Sequence, residues 1–336
     1  MNKKENHRAI EVSVIVPCYN EERTIPLLLQ AILDQDFPTE KMEVVIADAL
    51  SEDRTREVIK EFTGIHPDLR VLVVDNNKRT IPAAVNLAAS HAVGKYLIRM
   101  DAHSVPVKSY VSTCVRLLEE GIAQNVGGVW DIQPGNTSCV AKAIARAASH
   151  PVGAGDAKYR LNSAAGYVDT VPFGAYLKET FSKLGGFNES MLANEDYEFN
   201  ARIRESGGKI WLDPAIRSQY FARKNLCELG RQYWRYGYWK YKMLRFFPAT
   251  IRLRQALPPV FCLAIILLGI LAIFSVIARI ILGALLFSYF IILFFFSIME
   301  TIKKMDICCL MMAPAFIVMH FCWGSGFLYS LLNQNR

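Results

Sequence analysis

Hydrophobicity is distributed very unevenly along this chain of 336 residues. Residues 1–257 carry dense charges and only short apolar runs, whereas residues 258–332 are nearly uncharged except at Arg279 and between Glu300 and Asp306. A helix needs about 20 consecutive apolar residues to cross a bilayer. Windows of about that length cover residues 258–278, 280–298 and 307–332. The sequence therefore predicts a polar N-terminal domain followed by a transmembrane region of about three helices.

Basic residues flank the first apolar window. Each lysine or arginine near an anionic leaflet contributes about 1 kcal/mol of attraction, and such flanks mark the cytoplasmic side of a membrane. We therefore attribute the net charge of +7 to a membrane surface and not to nucleic acid. A turn at Arg279 and an inside loop at Lys303 and Lys304 then put the C-terminus outside. The flanking residues are Arg223, Lys224, Arg231, Arg235, Lys240, Lys242, Arg245, Arg252 and Arg254, opposed only by Glu228.

The remaining composition favours a cytoplasmic N-terminal domain at the inner face of the cell membrane. The eight cysteines have no spacing typical of a metal site, so we expect them to be reduced. Residues 1–11 are polar and lack the apolar stretch of a signal peptide. The predicted organisation is a cytoplasmic domain at 1–222, basic and aromatic interfacial helices at 223–257, and the membrane region at 258–336.

The N-terminal domain alternates strand-like and helix-like segments, the pattern of an α/β sheet covered by helices on both faces. In such sheets, ligands bind beyond the carboxyl ends of the strands, so the residues at those ends are the candidates for a site. Strands are predicted at 12–16, 44–47, 71–74 and 96–100, and helices at 21–34, 55–62 and 82–92.

Polar residues follow each of these strands. They offer an aromatic ring to stack on a base, carboxylates to bind ribose or a divalent cation, and basic groups for phosphate. This chemistry suits a nucleotide diphosphate. The residues are Pro17, Tyr19 and Glu21 after the first strand, Asp48 after the second, Asn76, Asn77, Lys78 and Arg79 after the third, and Asp101, Ala102 and His103 after the fourth.

Asp101 is the most informative of these residues. A carboxylate directly after a buried strand is desolvated unless a positive group lies beside it, and a metal ion would satisfy that need. His103 would face the same side in an extended chain and could be a second ligand. The alternative is that Asp101 caps a turn and His103 lies on the surface. Phosphate-binding glycine motifs of dinucleotide enzymes and P-loop proteins are absent.

Two later segments add candidates. Glu195 and Asp196 open a helix that ends near Ser206, and carboxylates in a first turn are either dipole partners or, when they face the site, proton acceptors. Gln232 and Arg235 are three residues apart in an aromatic, basic segment, so on a helix they share a face and could contact a pyrophosphate.

With these residues, the chain resembles the family 2 inverting glycosyltransferases of the GT-A fold, among them the membrane-bound enzymes of bacterial exopolysaccharide assembly. The resemblance covers about residues 12–236 and rests on five segments in the family's order: 12–21, 48–55, 101–103, 195–196 and 232–236. It implies a Rossmann-like nucleotide-sugar-binding domain with a mixed sheet. It also implies that Pro17, Tyr19 and Asp48 contact the nucleotide.

The resemblance further implies a chemistry. A Mg²⁺ or Mn²⁺ ion would bind at Asp101 together with His103. Asp196 would be the catalytic base, and Glu195 would orient the acceptor or the neighbouring base. The expected donor is a nucleotide diphosphate sugar, first of all a UDP-sugar, and the expected acceptor is a lipid-linked sugar or glycan. Gln232 and Arg235 would hold the diphosphate.

Two departures from the family pattern bear on function. His103 replaces the second aspartate of the metal motif, and Tyr236 replaces the tryptophan found in processive synthases. Three membrane spans are also few for a polymer channel, so transfer of single sugars is favoured. Alternatives are a polyprenyl-phosphate glycosyltransferase, a non-catalytic membrane scaffold with a degenerate transferase fold, and a transporter. A transporter would need polar residues along several spans, where only His320 stands out.

Overall fold

The computed structural model describes residues 9–161 and 163–333, and the chain forms two compact units. The first unit contains the chain up to Asp131 and from residue 163 to Tyr220, and the second contains 132–161 and the chain from Phe221 onward. Residues 1–8, on which much of the expectation of no signal peptide rests, lie outside the described residues. The sequence patterns did not indicate that 132–161 packs with the C-terminal helices.

A mixed sheet is the centre of the first unit. Within the described residues it has nine strands, in the order β3-β2-β1-β4-β8-β6-β9-β5, with β7 paired to β9. The first four strands are parallel to one another, and β8 runs antiparallel to β4. The strands are β1 (Val12–Cys18), β2 (Met42–Asp48), β3 (Arg70–Asp75), β4 (Tyr96–Arg99), β5 (Val105–Pro106), β6 (Asn125–Gln133), β7 (Gly166–Tyr167), β8 (Ala175–Leu177) and β9 (Ile210–Phe221).

Helices flank this sheet and build the second unit. Short 3₁₀ turns at Thr39–Lys41, Lys158–Arg160, Pro248–Thr250 and Ile307–Met311 connect some of them. The helices are α1 (Ile25–Leu33), α2 (Thr55–Ile65), α3 (Ile81–His91), α4 (Tyr110–Glu119), α5 (Cys139–Ala148), α6 (Pro151–Ala154), α7 (Lys178–Lys183), α8 (Glu195–Glu205), α9 (Leu226–Leu244), α10 (Leu253–Phe274), α11 (Val276–Lys304) and α12 (Met312–Leu332).

The predicted strands and helices of the first unit are confirmed within a few residues. The strongest predictions came from continuous runs of β-branched and apolar residues, which fit a strand covered on both faces. The structure buries the runs of β1 and β2, including Val14 and Ile15 of β1 and Val45 of β2, and leaves residues 71–74 of β3 half-buried. The parallel register pairs Cys18 with Asp48 and Asp48 with Asp75. The carboxyl ends of β1, β2 and β3 therefore meet at one edge of the sheet.

In the part of the second unit that the structure describes, three helices are long and apolar enough to cross a membrane: α10, α11 and the segment Ile307–Leu332. The predicted turn at Arg279 is wrong. The break between α10 and α11 lies at Ser275. Its hydroxyl accepts a hydrogen bond from Ala278 N and caps α11. Arg279 belongs to the first turns of α11, and its Nε donates to Ala272 O. A serine cap supplies the acceptor that a helix start requires, whereas an arginine does not.

One predicted property of the cysteines is also wrong. Cys139, at the start of α5, forms a disulfide with Cys308, which lies 169 residues later between α11 and α12. Arg146 of α5 additionally donates to Asp306 at 2.8 Å. These links fix α5 to the connection between the last two apolar helices. Such a pairing joins residues that are distant in sequence, so spacing could not have predicted it.

Candidate active site

The carboxyl end of β2 is organised around Asp48. Its side chain is fully buried, and it accepts hydrogen bonds from the Ser51 hydroxyl at 2.5 Å, the Ser51 backbone N–H at 3.0 Å and Arg56 Nε at 2.6 Å. Arg56 also donates to Asp75 at the end of β3, at 2.6 Å. A buried carboxylate with three donors is charge-compensated. Asp48 therefore shapes the loop that follows β2.

The loop after β1 is tied to the loop after β2. The Asn20 backbone N–H donates to the Ser51 hydroxyl at 2.9 Å, and the Asn20 side-chain oxygen accepts from Glu52 N at 2.9 Å. Tyr19, next to this contact, leaves 46% of its surface exposed. Its ring is thus available to a planar ligand at the sheet edge, and Pro17 is the penultimate residue of β1.

Glu21 and His103 join the loop after β1 to the loop after β4. His103 Nδ1 lies 3.1 Å from Glu21 Oε1, and the Glu21 backbone N–H donates to the Thr55 hydroxyl at 2.8 Å. The sequence analysis had assigned Glu21 to the nucleotide and His103 to the metal. The structure places both in one hydrogen-bonded pair. Ala102, between Asp101 and His103, is buried.

Asp101 has a positive partner that the sequence analysis did not identify. Arg99 Nη2 donates to Asp101 Oδ1 at 3.2 Å and to Glu195 Oε1 at 3.1 Å. Arg99 is the last residue of β4 and only 6% of its side chain is exposed. One guanidinium therefore connects the candidate metal ligand to the first residue of α8.

Asp196 follows Glu195 in the first turn of α8. Its carboxylate accepts from Tyr197 N at 2.7 Å. Burial raises the pKa of Asp196 to about 6, the neighbouring charge of Glu195 adds to this, and Arg99 opposes it. A carboxylate with a pKa near neutrality is well suited to take a proton and later release it.

Arg99 stays charged in this cluster. Burial alone would lower the pKa of its guanidinium, but the carboxylates of Asp101, Glu195 and Asp196 raise it well above its ordinary value. Its ring neighbour is Phe187, 5.4 Å from the guanidinium carbon. The described residues thus place three carboxylates around one buried cation, an arrangement that needs every partner because each unpaired charge would be costly.

The side chains around Asp101 fit a divalent cation whose other ligands come mainly from the phosphates of a bound substrate. Within residues 9–161 and 163–333, no group of three or more His, Cys, Asp or Glu side chains is placed to hold a metal ion. Mg²⁺ is commonly bound by one or two carboxylates together with substrate phosphates and water. Asp101, with 22% of its side chain exposed, offers such a carboxylate, and the imidazole of His103 follows two residues later, 3.1 Å from Glu21.

The other predicted site residues make contacts of their own. Arg79 follows β3 and is 3.7 Å from Glu52, in an exposed ion pair. Gln232 and Arg235 lie on α9 in the second unit, where the Gln232 side chain donates to the Tyr236 hydroxyl at 2.9 Å. Tyr236 thus makes a polar contact that tryptophan could not accept. The assignment of Gln232 and Arg235 to the diphosphate stays a prediction.

Sequence reasoning missed Arg99 and Arg56. Both form ion pairs with buried or partly exposed carboxylates, and neither lies in a motif. A signal was present for Arg99, because a charged residue inside the apolar run from Tyr96 to Met100 has to find a charge partner. No such signal marks Arg56, which lies on a helix with an ordinary polar face.

The α/β architecture of the first unit, with its mixed sheet, is that of the GT-A fold. Residues 13–183 match the family described as glycosyl transferase family 2. The succinoglycan biosynthesis protein ExoA of Rhizobium meliloti (strain 1021) is 32% identical over 327 residues, which is 96% of each chain. The chain belongs to glycosyltransferase family 2, and it is a glycosyltransferase.

Two further proteins are similar over most of this chain. A dolichyl N-acetyl-alpha-D-glucosaminyl phosphate 3-beta-D-2,3-diacetamido-2,3-dideoxy-beta-D-glucuronosyltransferase of Methanococcus voltae is 30% identical over 244 residues, covering 70% of this chain and 74% of that protein. The mannosyltransferase PcManGT from Pyrobaculum calidifontis, solved with GDP-Man and Mn²⁺, superimposes with a TM-score of 0.66 at 19% identity, over 98% of this chain and 89% of that one. The similarity to PcManGT shows that the two proteins share the GT-A fold.

Proposed function

We propose that this protein transfers one sugar, with inversion, from a nucleotide diphosphate sugar to a lipid-linked acceptor at the cytoplasmic face of the cell membrane. The observation that carries the proposal is the cluster of Asp101, Glu195 and Asp196 around Arg99. These carboxylates come from distant parts of the chain and converge beside the carboxyl ends of parallel strands, where nucleotides bind in such sheets.

Asp196 is the proposed base. Its carboxylate takes the proton of an acceptor hydroxyl while that oxygen forms a bond to the anomeric carbon of the donor sugar. The bond between the anomeric carbon and the diphosphate breaks at the same time, and the nucleoside diphosphate leaves with the electron pair. A single displacement from the opposite face inverts the configuration. The pKa of about 6 keeps Asp196 largely unprotonated at neutral pH.

The leaving diphosphate gathers negative charge, and a divalent cation bound to Asp101 would neutralise it. His103 is the proposed second protein ligand, with Glu21 holding its ring. Arg99 keeps Asp101 and Glu195 at fixed positions while the donor is bound. On the nucleotide side, Asp48 fixes the loop beside the base and ribose, and Tyr19 stacks on the base.

A lipid-linked sugar is the favoured acceptor because the catalytic unit belongs to a chain with helices that could cross a membrane. A relative from Methanococcus voltae is named for transfer to a dolichyl-linked sugar, which supports this choice. The second candidate is a bare polyprenyl phosphate. The donor nucleotide is expected to be UDP, although a neighbouring structure was solved with GDP-Man, so both families of donors belong in the assay.

The test is a transfer assay with the full-length protein in detergent or vesicles. Radiolabelled UDP- and GDP-sugars are offered with either a polyprenyl-diphosphate-linked sugar or a polyprenyl phosphate, and the lipid product is isolated. We expect label in the diphosphate-linked product, with an anomeric configuration opposite to that of the donor. Label only in the polyprenyl-phosphate product would favour the second candidate. A product that retains the donor configuration would contradict the proposal.

A further inference from the structure

The third apolar segment differs from the other two in its surroundings. In the most apolar window of Ile307–Leu332, 44% of the residues are buried, against 11% in each of the windows of α10 and α11. Phe316, Met319 and Gly324 of α12 are among the buried residues. Most of α10 and α11 therefore presents a surface suited to lipid, whereas α12 is largely covered by protein of the same unit.

One of the helices that covers α12 is α9, and it does so along the C-terminal half of α12. A Cβ atom added at Gly326 would lie 2.2 Å from Trp234 O, and one added at Gly237 would lie 2.1 Å from Trp323 O. The two backbones thus approach closely at points where one of the two helices has a glycine. Ring contacts continue the packing, with Trp234 against Tyr329 at 5.5 Å. This contact follows α12 from its middle almost to its end.

The position of α12 relative to α10 is equally informative. Trp323 Nε1 donates to Gln255 O at 3.1 Å, and a Cβ atom at Gly324 would lie 2.6 Å from Pro258 O. Gln255 belongs to the first turn of α10, whereas Trp323 lies about 17 Å along α12 from Met312, at 1.5 Å per residue. If both helices crossed the bilayer from the same side, Trp323 would lie at the same depth in the membrane as about Ala264, which is equally far from the start of α10. Instead, the second half of α12 lies at the starting end of α10.

The charges of α9 make a third full crossing unfavourable. In a three-span topology the C-terminal half of α12 would lie in the far leaflet, and α9 would have to accompany it there. Arg231 and Arg235 of α9 are exposed, and exposed cations in hydrocarbon are strongly disfavoured. Trp239 and Lys242 of the same helix are of the residue types that favour the boundary between headgroups and acyl chains.

We infer that α9 and α12 form a platform lying in the headgroup region of a single leaflet, with membrane lipid as its partner, so that the chain crosses the bilayer only twice. α10 leads out and α11 leads back. The end of α12 then lies on the same side of the membrane as the start of α10. This differs from the sequence-based expectation of a C-terminus on the far side. It does not depend on the proposed transferase reaction.

The test is labelling of exposed cysteines, introduced one at a time into the full-length protein, in intact and permeabilised cells, with a maleimide that cannot cross membranes. Native Cys227, exposed at the start of α9, marks the near side. Ser275→Cys marks the connection between α10 and α11, and Asn333→Cys marks the end of α12, both made with Cys227→Ser. We expect Asn333→Cys to react under the same conditions as Cys227 and Ser275→Cys to react only from the opposite side.

If Asn333→Cys reacted under the same conditions as Ser275→Cys, the inference would be overturned, because α12 would then cross the membrane. A second measurement avoids reliance on these variants. A reporter active on one side of the membrane only is fused after Arg336 of the otherwise unchanged chain, and it should report the side of Cys227. A reporter signal from the side of Ser275 would likewise contradict the two-span arrangement.

Discussion

Arg99 donates a hydrogen bond of 3.1 Å to Glu195, a residue 96 positions later in the chain. The same nitrogen donates to Asp101 at 3.2 Å. The pair therefore ties the end of a central parallel strand to the start of α8, where the proposed base Asp196 follows directly. In the proposed mechanism, this one buried side chain sets the geometry of both metal binding and proton transfer.

Arg99→Met should lower both stability and turnover. Removing one partner of a buried ion pair leaves uncompensated charge and typically costs about 3–5 kcal/mol. We expect the unfolding free energy to fall by roughly that amount and kcat to fall more than KM changes. Arg99→Lys should recover part of kcat because it restores the charge without the forked geometry. Thermal unfolding and steady-state kinetics on both variants measure this.

Arg116→Met is the matched control for these arginine variants. Arg116 forms an exposed pair with Glu120 at 2.8 Å, and exposed pairs contribute about 0–1 kcal/mol. It should unfold and turn over like the wild type. An Arg99→Met protein with wild-type kinetics would show that Arg99 is not a positioning residue.

The sequence predicted the strands of the first unit well because a parallel, doubly covered strand needs a continuous apolar run. It also predicted that Asp48 and Asp101 stand at one edge, since parallel strands end together. It could not predict Arg99 and Glu195 as a pair, because their contact depends on how α8 packs and not on any local pattern. The pairing of Cys139 with Cys308 was unpredictable for the same reason.

The two candidate metal ligands should differ in their effects. Asp101→Asn removes the carboxylate that would hold the cation, so turnover should fall by at least about 100-fold and respond little to added Mn²⁺. His103→Asp replaces a neutral nitrogen ligand by an anionic oxygen ligand at the same place and should retain measurable activity with an altered metal preference. Activity against Mg²⁺ and Mn²⁺ concentration checks both. Full activity of Asp101→Asn in EDTA would contradict the assignment.

The rate should depend on pH through Asp196. Its pKa is raised to about 6 by burial and by Glu195, with Asp101 adding to the rise and Arg99 opposing it. A base acts in its unprotonated form, so kcat/KM should fall about ten-fold per unit below pH 6 and level off above it. Because folding favours the protonated form, this carboxyl contributes stability below its unfolded pKa of 3.8 and loses it as pH rises toward 6. A rate profile measured from pH 4.5 to 9 tests the first point.

Asp48→Asn should weaken donor binding more than it slows chemistry. Asp48 accepts from Arg56 and Ser51, and hydrogen bonds to charged groups contribute about 1.5–3 kcal/mol each. We expect the donor KM to rise by roughly ten-fold or more as the loop after β2 loosens. Asp75→Asn is the control, since Asp75 also pairs with Arg56 but is 58% exposed. Equal effects of both variants on KM would argue against a specific role for Asp48.

The most direct test of the central claim is Asp196→Asn, compared with Glu205→Gln at the other end of α8. Release of nucleoside diphosphate from UDP- and GDP-sugars, with acceptor and with or without EDTA, gives turnover, and calorimetry gives nucleotide affinity. We predict that Asp196→Asn loses about 10²–10⁴-fold in kcat while binding nucleotide as the wild type does, and that Glu205→Gln is unchanged. If Asp196→Asn keeps most of its rate, the carboxylate cluster beside Arg99 is not the catalytic site.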